Sequence, residues 1–329
     1  MKKCRKELYC QFLLAAQTNF TATDFANHVD NTHHDAITRF LKTTKLTPTI
    51  LWEYTHQLLS TNGGYLICDD TVLDHWYGKK IGLAKWQYSG AHHDVVFGIG
   101  VVTLLWTGDT KEHIPFDFRI YAKGDDGKSK NQHFRDMLKR AQQKGFRPKA
   151  VLMDSWYAVS ATLHLINNYS WTFVCGLASN RTVATGRGRE NHYKLKDLDI
   201  PKEGRVLHLQ KFGQVKVFCF IATNGKTDYL ATNNLNFSLE DIQTVYARRW
   251  EIEEYHRGMK QTVGVAKCQA RGKRSQRTHI FCSILSFVAL EKKRLEENIS
   301  WYEAKRRIIS DALFAYLKQP MIKLPTTSF

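Results

Sequence analysis

Two short runs of apolar residues, each ending in aspartate, constrain the fold more than any other feature of the sequence. The first is YLICDD at positions 65–70, and the second is AVLMD at positions 150–154. Short, continuous apolar runs are typical of strands that are buried on both faces. A carboxylate at the end of such a strand is ordinarily a cap or a surface residue. Its meaning here depends on whether the two strands are neighbours.

The order of the predicted elements makes them neighbours. Further strands are indicated at 92–108, 113–123 and 171–178, and helices at 132–144 and near 160–168. The resulting order, β-β-β-α-β-α-β, is that of an RNase H-like mixed sheet with flanking helices, in which the first and fourth strands lie side by side. We therefore expect an α/β fold in which the Asp69-Asp70 doublet and Asp154 meet at one edge of the sheet.

Carboxylates this close together repel each other unless a cation lies between them. Oxygen ligands completed by water suit Mg²⁺, and Mn²⁺ can substitute for it. The seven cysteines are scattered and include no C-x-x-C pair, so structural zinc is not expected. The sequence thus predicts a magnesium site, while strand alternation alone leaves open whether Asp69 or Asp70 is the first ligand.

A third acid lies on a predicted helix that begins after Ser238. Four residues fall at i, i+3, i+7 and i+14 of this helix, namely Tyr246, Arg249, Glu253 and Lys260. This spacing places all four on one helical face. A solvated charged face held by i,i+4 pairs would contain similar residues. These residues make better chemical sense as a functional site than as a solvated face. In such a site the glutamate would bind metal, the arginine and lysine would bind phosphates, and the tyrosine would make a stacking or hydroxyl contact.

In spacing and identity, these four residues match the YREK signature of insertion-sequence transposases of the IS-four type. The stretch Asp69-Asp70-Thr71 resembles the first D-x-T box of that family, and LMDSWY around Asp154 resembles the second. The two boxes precede the signature in the order of the family. The resemblance extends over about residues 60–290.

The resemblance implies that Asp69, Asp154 and Glu253 form a catalytic, metal-binding triad. Alignment on the D-x-T box favours Asp69 over Asp70 as the first ligand. The residues that the resemblance assigns to the DNA backbone near the scissile phosphate are Tyr246, Arg249 and Lys260. The family commonly carries a β-rich insertion between the second aspartate and the glutamate, and alternating stretches within 180–235 fit such an insertion.

The activity implied is that of a DNA transposase, a metal-dependent endonuclease and polynucleotidyl transferase. It would cleave DNA at insertion-sequence ends and transfer the strand into target DNA. A homodimer on paired ends is expected, because two ends have to be cut together. If a hairpin forms, Trp156 and Trp250 are candidates for holding a flipped base, although a single tryptophan is more often a core residue.

The charge of the chain agrees with a DNA partner. The sequence has 48 Lys and Arg against 31 Asp and Glu, a formal net charge of +17, which favours a polyanion. The basic residues of one segment after the predicted helix are expected to contact phosphates, namely Arg271, Lys273, Arg274 and Arg277. A solvated loop would look similar.

The sequence divides into five predicted regions. They are an N-terminal helical DNA-binding domain (1–60), the first part of the catalytic core (61–179), the β-rich insertion (180–235), the core region with the glutamate helix (236–290) and a helical tail (291–329). Within the first region, two short helices fit either a helix-turn-helix or a plain helical bundle.

Two other functions remain open at this level. One is a DNA nuclease with the same RNase H-like core, which would need the acids but not the surrounding tyrosine, arginine and lysine. The other is a catalytically inactive DNA-binding protein derived from a transposase. The sequence has no apolar run of transmembrane length, and we expect a cytoplasmic, nucleoid-associated protein with no membrane partner.

Overall fold

The computed structural model describes residues 5–90, 92–221, 225 and 227–321. The first residues of the predicted N-terminal domain (1–4), the end of the predicted tail (322–329) and a few positions of the insertion (222–224 and 226) lie outside the described residues. The chain divides into two compact units: residues 46–257, and residues 1–45 together with 258–329. Within the described ranges, each helix is too short or too polar to cross a membrane.

The first unit contains the predicted sheet. Its leading strands are β1 (Tyr65–Asp74), β2 (Lys85–Ser89), β3 (Asp94–Thr107), β4 (Ile114–Tyr121), β5 (Ala150–Met153) and β6 (Phe173–Leu177). Strand β1 pairs parallel with β5 and antiparallel with β3, and β5 pairs parallel with β6. The predicted mixed sheet and the adjacency of the two acid-bearing strands are confirmed. The short strand β2, on the outer side of β3, was not predicted.

The periodicity predicted two helices of this unit, α6 (Lys130–Gln143) and α7 (Ser160–Asn168). The unit also contains α4 (Pro48–Thr55), which lies within the region predicted to be helical, and the short α5 (Lys123–Asp126), which was not predicted. Three N-terminal helices come first in the numbering. The side chain of Ser129 caps α6 in a reciprocal capping box with Gln132. Phe134, Met137 and Leu138 of α6 are fully buried in the main hydrophobic core.

The insertion is β-rich, as predicted, and it continues the same sheet. Its strands are β7 (Thr182–Ala184), β8 (His192–Lys194), β9 (Arg205–Leu209), β10 (Gly213–Ile221) and β11 (Thr227–Thr232). Strand β11 pairs antiparallel with β6, so the described strands follow the order β2-β3-β1-β5-β6-β11-β10-β9-β7-β8, with β4 on β3. The central strands β1 and β5 are therefore covered on both edges.

The predicted glutamate helix is two helices, and this part of the prediction is wrong. Helix α8 (Leu239–Ala247) begins with a capping box formed by Ser238 and Asp241. The chain then turns through Arg248 and Arg249, and α9 (Trp250–Thr262) follows. Tyr246 lies on α8 and Glu253 on α9, so the turn, rather than a continuous helical face, sets their relative positions.

The second unit is helical. Its helices are α1 (Lys6–Ala15), α2 (Ala22–Asn27), α3 (His34–Thr43), α10 (Lys273–Glu297) and α11 (Trp301–Lys318), with the last turn of α9. The predicted N-terminal helices are confirmed, and α1 and α3 pack against α10. His279 of α10 is fully buried and shares a hydrogen bond of 2.9 Å with the hydroxyl of Tyr9. It is therefore a packing residue in the interior of the helical unit.

Candidate active site

The acids lie where the parallel pairing of the two central strands stops. Strand β1 pairs with β5 as far as Cys68, opposite Met153, and Asp69 and Asp154 are the next residues of their strands. In contrast to the prediction, β1 does not end at the doublet but continues to Asp74 along β3. The backbone beyond Asp69 is therefore held by the sheet on one side and open on the side where β5 has ended.

Successive residues of a strand face opposite sides of the sheet, and this separates the two acids of the doublet. The Asp70 carboxylate accepts hydrogen bonds of 2.6 Å from the hydroxyl of Tyr157 and of 2.6 Å from the ammonium of Lys130. Tyr157 is completely buried, and Lys130 begins helix α6. Both oxygens of Asp70 are thus engaged with residues of the hydrophobic core side.

Asp69 faces the other side, where it meets the turn between α8 and α9. Its Oδ2 lies 3.5 Å from Nη1 of Arg249, and Nη2 of the same arginine contacts Glu253 Oε1. Its Oδ1 accepts the backbone N–H of Asp70 at 2.7 Å. One guanidinium group therefore lies between the carboxylates of the first and third acids of the predicted triad.

Asp154 is fixed by the turn that follows β5. Its Oδ1 accepts the backbone N–H groups of Trp156 at 3.0 Å and of Tyr157 at 3.2 Å. The same short turn therefore positions Asp154 and supplies the hydroxyl that holds Asp70. The side chain of Trp156 is exposed at this turn, and that of Trp250 is exposed at the start of α9. Neither tryptophan is a core residue.

Tyr246 packs beside the site. The guanidinium of Arg249 lies 5.7 Å from the centre of its ring. A Cβ atom at Gly176 of β6 would come within 3.4 Å of the Tyr246 hydroxyl, so the glycine gives the ring room to approach β6. Burial raises the pKa of Tyr246 to about 12, and the phenol is therefore neutral and able to donate a hydrogen bond at physiological pH.

The electrostatics of the acids are those of crowded carboxylates. Burial raises the pKa of Asp69 to about 7, and the nearby charges of Asp154 and Asp70 add to this effect. Burial also raises the pKa of Asp154. The positive charge of Arg249 opposes both increases. A group of acids that resists carrying its full negative charge is a suitable environment for a cation.

The chemistry of these donors fits Mg²⁺ or Mn²⁺, since all are carboxylate oxygens and all are partly accessible. The three carboxylates do not form a closed cluster of ligand atoms within 4.8 Å of one another. Arg249 lies between Asp69 and Glu253 and balances their charge. A metal ion at this site would therefore take over the role of the guanidinium between these two acids.

A second group of ionisable residues, missed by the sequence reasoning, involves Glu251 and Glu254 of α9. His113 Nε2 is 3.0 Å from Glu251 Oε2 and 3.4 Å from Glu254 Oε2. Arg248 Nη1 lies 3.8 Å from the other oxygen of Glu251. This group joins α9 to the start of β4, and nothing in the sequence pairs His113 with the glutamates. Glu251 and Glu254 are one helical turn apart, which was the only available signal.

The remaining predicted DNA-contacting residues belong to the helical unit. Lys260 lies in the last turn of α9 and is half-buried. Arg271, Lys273 and Arg274 are exposed at the start of α10, and Arg277 is half-buried one turn later. These last four residues form one basic segment at a helix N-terminus, where positive charges repel each other unless an anion is present.

Comparison of the sequence with models of known protein families identifies the family of this chain. Residues 65–288 match the model of the family described as "Transposase DDE domain". No curated protein matches the sequence. The matched range contains both aspartate boxes, the insertion, α8 and α9.

Solved structures give the fold. The chain resembles a piggyBac transposase, solved by cryo-electron microscopy as a synaptic complex with hairpin DNA, at a TM-score of 0.54 and 14% identity. The match covers 100% of this chain and 79% of that one. A Drosophila P element transposase in a strand transfer complex matches 52% of this chain and 37% of its own at 11% identity, but its TM-score of 0.28 supports no conclusion. The fold is that of an RNase H-like transposase, and the chain belongs to the transposase DDE domain family.

Proposed function

We propose that this protein is an active DNA transposase of the IS-four type, which cleaves DNA at insertion-sequence ends and joins them to target DNA. The observation that carries the proposal is the meeting of Asp69 and Asp154, from adjacent parallel strands, with the Arg249–Glu253 pair of the α8–α9 turn. Three carboxylates arranged in this way could hold the metal ions that catalyse phosphodiester cleavage.

In this proposal Asp69, Asp154 and Glu253 are the metal ligands. When bound, Mg²⁺ or Mn²⁺ would activate the attacking water or 3′-hydroxyl and stabilise the leaving oxygen. Asp70 is not a ligand, because both of its oxygens already accept strong hydrogen bonds from Tyr157 and Lys130. Asp70 instead holds the backbone of Asp69 in register between the sheet and α6.

Arg249 and Tyr246 would bind the DNA beside the scissile phosphate. The guanidinium has the planar fork that phosphate oxygens accept, and it can exchange a carboxylate for a phosphate when the charge of the acids is neutralised. The neutral Tyr246 hydroxyl would donate to a phosphate oxygen. Together with Glu253, these residues and Lys260 constitute the proposed YREK signature of the chain.

The basic segment of Arg271, Lys273, Arg274 and Arg277 would add sequence-independent phosphate contacts. Such contacts fix the position of the DNA and make binding depend on salt. The exposed rings of Trp156, in the turn after Asp154, and of Trp250, at the start of α9, would be available to stack on a flipped base. That the similar piggyBac complex contains hairpin DNA makes a hairpin intermediate worth testing for this chain. We expect the active form to be a homodimer on paired ends.

The proposal is tested with supercoiled plasmid that carries the DNA flanking the gene on both sides. Wild-type protein is incubated with Mg²⁺, Mn²⁺ or EDTA, and cleavage is mapped to the nucleotide. Asp154→Asn and Glu253→Gln keep the size of each side chain and remove its charge, and Asp109→Asn, at an exposed acid paired with Lys149, is the matched control. DNA binding by each variant is measured separately by gel shift.

We expect metal-dependent cleavage at defined ends by the wild type and the control, and binding without cleavage by Asp154→Asn and Glu253→Gln. Cleavage by either of these variants at the wild-type rate would show that the triad is wrong. Binding without cleavage by every protein would instead indicate an inactive, transposase-derived DNA-binding protein. Cleavage without preference for ends would indicate a nuclease.

A further inference from the structure

The strand that the sequence did not predict carries an exposed aromatic surface. Trp86 and Tyr88 of β2 are 62% and 60% exposed, although aromatic rings of this size are usually buried. They lie opposite Phe97 and Val95 of β3, and Val95 is also exposed. Trp76 and Tyr77 are exposed in the turn after β1, and the ring of Trp76 lies 6.4 Å from that of His92, in the turn between β2 and β3. The four rings of Trp76, Tyr77, Trp86 and Tyr88 are called the aromatic edge below.

The register of the strands puts Trp86 and Tyr88 on the face of the sheet that bears Asp69. Asp69 lies opposite Thr103 of β3, and side chains separated by an even number of residues along a strand share a face. Phe97 and Val95 are six and eight residues from Thr103, so they share the face of Asp69. Trp86 and Tyr88 pair directly with them. No register shift interrupts the described pairing of β3 with β1 or β2.

The aromatic edge combines exposed rings with the lysines that commonly protect an edge strand. Exposed edges are commonly blunted by charged residues that point towards the surface. Here the charges flank the rings: Lys79, Lys80 and Lys85 are exposed. Of the two acids in the sequence from 74 to 97, Asp74 is paired with His92 at 2.7 Å, and Asp94 is exposed. Rings and lysines together form an apolar but positively charged surface.

We propose that the aromatic edge binds unstacked bases of a DNA strand that extends from the active site. Bases stack on aromatic rings irrespective of their sequence, and neighbouring lysines bind the phosphates. A second copy of this chain is a poorer occupant, because it would bring the same three lysines against these and like charges repel. This inference rests on the proposed function, since it takes the strand to be the one that is cut.

The distance to the active site fits a short stretch of DNA. Six residues along β3 correspond to about 20 Å, and two strand spacings to about 10 Å. The aromatic edge is therefore roughly 22 Å from Asp69, which corresponds to about six nucleotides at the spacing of B-DNA. We expect the contacted bases to lie about this far from the scissile phosphate, in DNA that has lost its normal pairing.

The experiment compares binding of a labelled oligothymidylate of about 20 nucleotides with binding of its duplex with oligoadenylate, both by fluorescence anisotropy. The test variant is the double substitution Trp86→Ala and Tyr88→Ala. Trp86→Phe with Tyr88→Phe is the conservative control, and Tyr193→Ala removes an exposed aromatic side chain from strand β8 of the insertion. Metal-dependent plasmid cleavage and the mass in solution are measured on the same preparations.

The double alanine variant should lose affinity for the single strand by at least about 5-fold, the loss expected when one weakly stacked base is released, and by about 30-fold or more if each ring stacks a base. Its affinity for the duplex should change less than about twofold, and both controls should bind as the wild type does. In a second measurement, iodouracil in the single strand is photo-crosslinked to the wild-type protein. The crosslinked peptide should contain Trp86 or Tyr88, and this readout does not depend on a variant that folds.

Unchanged single-strand binding by the double variant would overturn the inference, and so would crosslinks confined to other peptides. If the wild type still cleaves the plasmid in that case, the proposed function remains intact. A change from dimer to monomer with unchanged DNA binding would make the surface an interface between copies and also overturn it. Conversely, loss of single-strand binding in a protein that never cleaves would support the aromatic edge and contradict the transposase activity.

Discussion

Replacing Asp69 with asparagine should make the protein more stable above neutral pH, even though it removes a proposed metal ligand. The pKa of Asp69 rises from 3.8 to about 7, mainly because the carboxyl is buried and also because Asp154 and Asp70 repel its charge. A difference of this size means that ionising Asp69 in the folded protein costs about 4 kcal/mol more than in the unfolded chain. Water reaches the side chain, which is 21% exposed, so we expect about half of this, ~2 kcal/mol.

The pH dependence has a definite sign. A carboxyl whose pKa is raised by folding binds its proton more tightly in the folded state. The wild type therefore loses stability as the pH rises from about 4 to about 7, and the full loss is present above pH 7. Asp69→Asn cannot lose this proton, and its amide oxygen can still accept the backbone N–H of Asp70. The free energy of unfolding of the variant should thus exceed that of the wild type at pH 8 and equal it near pH 4.

Metal should reverse the difference. Mg²⁺ at a hundredfold excess over its dissociation constant stabilises a folded protein by about 2.7 kcal/mol if the unfolded chain does not bind it. Asp69→Asn would lack most of this gain. The assay is urea unfolding followed by tryptophan fluorescence at pH 4, 6 and 8, with EDTA or excess Mg²⁺, and Asp109→Asn is the control. A variant no more stable than the wild type at pH 8 in EDTA, or a gap that Mg²⁺ leaves unchanged, would refute the reasoning.

Three further substitutions test neighbouring parts of the structure. Asp70→Asn should destabilise the protein by about 2 kcal/mol in urea at pH 8, because it weakens a largely buried ion pair and a tyrosine hydrogen bond. Arg249→Gln should raise the pKa of Asp69 further, since the guanidinium lowers it, and should move the pH profile of cleavage to higher pH. Glu291→Gln should destabilise the helical unit by about 3 kcal/mol in thermal unfolding, because the fully buried carboxylate accepts two hydrogen bonds from the guanidinium of Arg294, at 2.7 and 2.9 Å, and the neutral amide would no longer balance that charge.

Local patterns were sufficient for the central strands of the first unit and for the helices on either side of β5. The apolar runs of β1 and β5 and the helical spacing in α6 are properties of consecutive residues, and the rule that such elements form a mixed sheet supplies their adjacency. The insertion was recognisable from alternating residues. Its place in the sheet was not, because pairing of β11 with β6 depends on contacts between residues far apart in the sequence.

The details of the site required the structure for the same reason. The turn at Arg248 and Arg249 interrupts a segment whose helical periodicity is continuous in the sequence. The contacts that hold the chain on either side of this turn are made with residues far away in the sequence. Arg248 contacts the carbonyl oxygen of Gly108, and His113 contacts Glu251. No pattern in the sequence indicates that Gly108 contacts Arg248 or that His113 contacts Glu251. The spacing of the signature residues nevertheless predicted the proximity of Arg249 and Glu253, because one helical turn separates them in either case.

The two aspartates of the doublet show that a sequence motif can identify important residues without showing which role each of them has. Adjacent positions of a strand face opposite sides of the sheet, so one carboxylate of the pair must face the core side and the other must not. On the core side, Asp70 finds a lysine and a tyrosine. On the other side, Asp69 meets further acids and a shared guanidinium. A carboxylate with satisfied partners contributes stability, whereas one crowded by like charges reduces it and becomes useful only when a cation arrives. Opposite signs for the effects of Asp69→Asn and Asp70→Asn on stability are therefore a direct consequence of this arrangement, and equal signs would contradict it.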